Sequence, residues 1–118
     1  MLVAHADTVL DAAITWERPK PQRLFVDNRN IRNANGVLGA DDRTGCAFLW
    51  LLKDLGHSLL VTDGEEMGCL GSNWLMDENP AVAMGLNEGH QFMVQFDRRG
   101  SSDFKCYSGR IIALPKIP

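Results

Sequence analysis

The chain has 118 residues and a formal charge of −3, with 45% hydrophobic and 23% charged residues. That length supports one hydrophobic core and not two, and the mildly acidic balance argues against a nucleic-acid partner held by bulk charge. There is no run of about 18 apolar residues and no basic stretch leading into an apolar one, so the expectation is a protein without a membrane span or secretory leader.

In chain order, residues 1–4 are a short apolar run that stops at His5-Ala6-Asp7-Thr8. This predicts a buried strand that presents side chains at its C-terminal end. Residues 16–23 contain Pro19 and Pro21 and read as a loop. Leu24-Phe25-Val26 reads as a brief strand, and the Asn- and Arg-rich stretch 28–35 as turn or edge structure. The clearest helix is 42–55. Ala47, Trp50, Leu51 and Leu55 fall at helical spacing, Phe48 and Leu52 widen the apolar face, and Gly56 follows as a stop. The near-continuous apolar run 58–62 predicts a central strand covered on both faces, and it ends in Asp63-Gly64-Glu65-Glu66.

Gly68 and Gly71 fit a tight turn into a second, shorter helix over 71–77, closed by Asn79-Pro80. Residues 91–96 alternate as a strand ending at Asp97, and Lys105-Cys106-Tyr107 reads as one more. Trp50 and Trp74 read as core. His57 lies just past a helix end, where a cation suits the dipole, and His90 reads as exposed loop with a metal role left open. Cys46, Cys69 and Cys106 are an odd number without CxxC spacing. They predict small buried hydrophobes in a reducing, cytoplasmic setting rather than disulfides or a thiolate zinc site. Strands alternating with helices predict an α/β fold, a three-layer α/β/α sandwich with a mostly parallel mixed sheet, as one domain over 1–118.

The chemistry gathers at element ends. His5 and Asp7 follow the first strand, Glu65 and Glu66 the long one, and Asp97 the last, while Gly39-Ala40-Asp41-Asp42 opens the main helix. In open α/β sheets sites form beyond the C-terminal strand ends, so these clusters would converge. So many carboxylates around a histidine would repel unless cations held them, and nitrogen and oxygen donors without thiolate suit zinc, manganese or cobalt. Singly, a strand-end Asp is an ordinary turn former, a Glu-Glu pair a solvated edge and His5 a core histidine; their joint occurrence in this order points to a site.

Three segments carry a family likeness: His5-Ala6-Asp7-Thr8-Val9, Gly39-Ala40-Asp41-Asp42-Arg43-Thr44-Gly45, and Thr62-Asp63-Gly64-Glu65-Glu66-Met67-Gly68-Cys69-Leu70-Gly71-Ser72. Together they resemble the signature segments of the co-catalytic dizinc exopeptidases, which include peptidase T, carboxypeptidase G-type enzymes, leucyl aminopeptidases and related amidohydrolases. The resemblance runs from about Leu2 to Tyr107. It implies that His5, Asp41, Glu66 and Asp97 ligate two zinc ions, with Asp41 bridging them and a cis peptide bond after it. It implies that Asp7 fixes the His5 tautomer and that Glu65 is the general base for a water activated by both ions. The implied substrates are small peptides or N-acyl amino acids. Asp103 is a weaker alternative to Asp97, and the Arg98-Arg99-Gly100-Ser101-Ser102-Asp103 stretch reads as a substrate-carboxylate site or a solvated loop.

The chain also departs from that family. Relatives have a longer catalytic domain, often with an inserted lid or dimerisation domain. They also have a helix and strand before the first motif and a final histidine ligand near the C-terminus; here no histidine follows His90. Three expectations follow: a truncated piece of such an enzyme, an oligomer whose neighbouring copy covers the sheet edge and lends ligands, or a non-catalytic metal-binding or assembly module.

Overall fold

A computed structural model describes residues 1–9 and 21–98, and the backbone of 105–107 and 111–113. Residues 16–20 of the proline-rich loop, the 99–103 stretch with Asp103, and the Cys106 side chain lie outside the described residues. The elements in chain order are β1 (Leu2–His5), β2 (Leu24–Val26), β3 (Ile31–Asn33), α1 (Arg43–Leu52), β4 (Leu59–Thr62), α2 (Leu70–Glu78), α3 (Pro80–Glu88), β5 (Val94–Gln95), β6 (Lys105–Tyr107) and β7 (Ile111–Ala113). They form a small mixed α/β domain with a parallel three-stranded sheet in the order β4-β1-β5 and two antiparallel hairpins, β2-β3 and β6-β7. None of the helices among the described residues is long and apolar enough to cross a membrane.

β1, not β4, is the central strand. It pairs with β4 from Leu2↔Leu59 to His5↔Thr62, and with β5 at Leu2↔Val94 and Val3↔Gln95. Leu2, Ala4 and His5 are buried, whereas Leu59 and Val61 of β4 are exposed, so the sequence's densest apolar run is an edge strand of this sheet. The core is Leu2, Ala4 and Leu49, with Cys46, Leu52 and Phe96 packed against it. Phe48 and Phe96 stack beside it, with ring centroids 5.4 Å apart.

α1 turns a different face to the sheet from the one its periodicity suggested. Gly45 and Leu49 are buried and Cys46 and Leu52 half-buried, while Trp50 (68% exposed), Leu51 (73%) and Leu55 face outward. The helix is apolar nearly all round, so spacing alone could not choose a face. Its N-cap chooses it: the Asp42 carboxylate accepts the Gly45 N–H, and a Cβ on Gly45 would collide with that carboxylate. The helix ends in a 3-10 turn, Lys53–Leu55, and Gly56 stops it with φ 77°.

Three further differences have local causes. Stretch 28–35 contains a strand, β3, because the Asp27 carboxylate accepts the N–H groups of Arg29 and Asn30 and closes a β2-β3 hairpin. Asn79-Pro80 ends α2 but also starts α3, since proline suits the first helical position. Trp74 and Cys69 are exposed rather than core, and Cys69 adopts φ 61° in the turn before α2.

The glycines of that turn do what their spacing suggested. Gly71 N–H bonds Asp63 C=O at 2.8 Å. A Cβ on Gly71 would lie 2.5 Å from that oxygen and 2.9 Å from Asp63 N, both backbone atoms. Gly71→Ala is therefore expected to destabilise the fold by about 1–3 kcal/mol, as overpacking against fixed atoms does. Urea unfolding checks this, and a midpoint equal to wild type would refute the tight turn.

Candidate metal centre

Because the sheet is parallel, β1, β4 and β5 all end on one edge, where the segments after them meet. β1 delivers His5, and the loop before α1 brings Asp41 to it. The segment after β4 brings Glu65, and Asp97 lies two residues past β5. Nε2 of His5 lies 3.3 Å from Asp41 Oδ1 and 3.9 Å from both Glu65 Oε2 and Asp97 Oδ1. The His5 side chain is 1% exposed, and its Nε2 is buried without a hydrogen-bond partner. An orphaned buried nitrogen is costly unless something else satisfies it.

That atom's surroundings fit a cation. One donor atom each from His5, Asp41 and Asp97 lie within 4.8 Å of one another, so these three residues could hold a metal ion. Two ligands about 2.1 Å from one tetrahedral ion sit about 3.4 Å apart, close to the 3.3 Å His5–Asp41 separation. Asp41 is the exposed member, Asp97 is half-buried and His5 is buried. The Asp41–Asp42 peptide is cis, as the family resemblance implies.

Asp7 ties the site together. Its Oδ1 lies 3.3 Å from His5 Nδ1 and accepts the Glu65 N–H at 3.0 Å, and its Oδ2 accepts the Glu66 N–H at 3.0 Å. Donation from Nδ1–H to Asp7 leaves Nε2 with its lone pair toward Asp41, the tautomer that a metal needs. One buried carboxylate thereby fixes the imidazole and the loop that carries both glutamates.

The electrostatics register the crowding. Burial disfavours the His5 cation, but Asp42, Asp97 and Glu65 charges and the Asp7 bond outweigh it, holding His5 above its ordinary value. Burial and then the Asp41 charge raise Asp97, and burial followed by Asp41 and Glu65 raises Glu66. Burial also raises Asp7, but the Glu65 and Glu66 N–H bonds outweigh it and Asp7 lies low. Carboxylates pushed upward by burial and then by one another are what a bound cation relieves.

Of the residues singled out from sequence, His5, Asp41, Glu65 and Asp97 converge around Nε2. Asp7 supports them from behind, and Glu66 lies outside the three-donor set. His90 Nδ1 bonds Leu86 C=O at 2.7 Å, capping α3, and His57 is exposed past α1. Sequence reading placed Asp42 in the acidic start of the helix and Cys46 among small buried hydrophobes, and foresaw for neither a bond to His5. Asp42, 2% exposed, accepts the His5 backbone N–H at 3.1 Å, and Cys46 Sγ donates to His5 C=O at 3.3 Å. Burial raises the Cys46 thiol, so it stays a donor. An Asp three residues before a helical Gly is an N-cap signal; its reach across to β1 has no mark in the sequence.

No family model, curated protein or solved structure matches this chain.

Proposed function

We propose that the chain is the catalytic core of a zinc-dependent exopeptidase or amidohydrolase of the three-layer α/β/α type, acting on small peptides or N-acyl amino acids. The observation that carries this reading is the buried, unpartnered His5 Nε2 facing Asp41, Glu65 and Asp97. The ordered motif triple supports it. His5, Asp41 and Asp97 would hold one ion, and Glu66 with Asp41 a second. Divalent ions bound there would supply an acidified water and a Lewis-acid contact for the scissile carbonyl. Glu65, whose Oε2 lies 3.9 Å from His5 Nε2, would take the attacking water's proton and return it to the leaving amine. Asp7 would keep His5 and the glutamate loop in register throughout.

A second reading, a non-catalytic metal-binding module, is favoured by the three-donor set that excludes Glu66, since it describes one ion rather than two. Metal analysis of dialysed protein decides between them, combined with assays on dipeptides and N-acetyl amino acids. Two zinc equivalents with hydrolysis support the enzyme, and one equivalent without turnover supports the module. Loss of metal in His5→Ala is expected on either reading; full metal content in that variant would remove both.

A further inference from the structure

The His5 backbone is held in an unusual way. Along β1, even-numbered N–H groups face β4: Leu2 N–H bonds Ser58 C=O at 2.9 Å and Ala6 N–H bonds Thr62 C=O at 2.8 Å. The other edge faces β5, where Val94 N–H bonds Met1 C=O at 3.0 Å and Phe96 N–H bonds Val3 C=O at 3.2 Å. β5 stops there, so among the described residues no strand lies opposite the His5 N–H and C=O. Both are buried polar groups that need partners. α1 supplies them, through the Asp42 carboxylate at 3.1 Å and the Cys46 thiol at 3.3 Å. The other Asp42 oxygen accepts Gly45 N–H at 3.0 Å, which pins the same carboxylate to the helix. Asp42 also follows Asp41 directly, so anchoring it anchors that donor too.

We infer that the N-terminal turn of α1 is the positioning device of the metal centre: Asp42, assisted by Cys46, sets His5 and Asp41 relative to each other. This rests on the metal-binding reading above and extends it to two residues that touch no ion. Outer partners of this kind typically change metal affinity by about 10- to 100-fold when removed.

Asp42→Asn keeps a good N-cap oxygen for Gly45 but sets an amide N–H₂ against the His5 N–H; Asp42→Ser keeps the cap and cannot span to His5. Zinc and cobalt(II) titrations of the full chain, with the cobalt visible spectrum, test the inference. Both variants are expected to bind zinc about 10- to 100-fold more weakly, with a changed cobalt spectrum, and Cys46→Ala about 5-fold more weakly. Trp50→Ala, on the outward face of the same helix where the side chain is 68% exposed, is expected to keep wild-type affinity and spectrum. Folded Asp42 variants with wild-type affinity and spectrum would overturn the inference. Should neither Asp42 variant fold, Cys46→Ala decides: weaker binding supports it and unchanged binding overturns it. A wild-type chain that binds neither ion refutes the metal-binding reading instead, a result distinct from every variant outcome.

Discussion

Glu65→Gln is expected to lower peptide or N-acyl amino acid hydrolysis by about 10²- to 10⁴-fold while bound metal stays at the wild-type level. The amide matches the carboxylate in size and cannot take up a proton, so the substitution removes one chemical act and little packing. The loop position survives it, because the Asp7 carboxylate holds Glu65 through the backbone N–H at 3.0 Å and not through its side chain. The three-donor set of His5, Asp41 and Asp97 does not include Glu65, so the ion is not expected to leave. The measurement is turnover on a dipeptide and N-acetyl amino acid panel beside metal content on the same samples. Turnover within a few-fold of wild type would remove Glu65 as the base. Parallel loss of metal would make it a ligand.

That prediction could be framed from sequence because the site's principal residues sit where chain chemistry changes. His5 follows an apolar run, Glu65 follows another, and Asp97 follows an alternating one, so a parallel sheet brings all three to one edge without further information. Asp41 was legible as the acidic start of the strongest helix. The rest was settled by geometry that no spacing records. α1 is apolar on nearly every side, and the face it buries depends on a carboxylate bridge from Asp42 to Gly45 and His5. β3 depends on Asp27 closing a turn, and α3 on a proline read as a stop that is also a start. β4 has the composition of a covered strand but an edge position in the described sheet, because strand order is set by long-range pairing and not by local hydrophobicity.

Asp7→Ala is expected to destabilise the fold by about 2–5 kcal/mol, and it is the substitution in which structure and site fail together. Its carboxylate is the acceptor for the half-buried Glu65 and Glu66 N–H groups, and leaving a donor unsatisfied away from water costs about 1–3 kcal/mol each. In a domain of this size that corresponds to a fall in melting temperature of at least about 8 °C. Asp7→Asn offers a single acceptor oxygen, so it is expected to fall between Ala and wild type. The same change frees the His5 ring, whose Nδ1 has Asp7 as its partner at 3.3 Å. An imidazole released to its other tautomer presents a proton instead of a lone pair toward Asp41, so zinc affinity is expected to fall even in protein that remains folded at low temperature. Thermal unfolding with and without zinc separates the two losses. The metal-free melting point reports the broken loop bonds, and the zinc-induced rise reports the histidine, which Asp7→Ala is expected to shrink toward zero. A metal-free melting point within about 2 °C of wild type would show that the two N–H bonds carry no stability. A full zinc-induced rise would show that His5 keeps its orientation without Asp7.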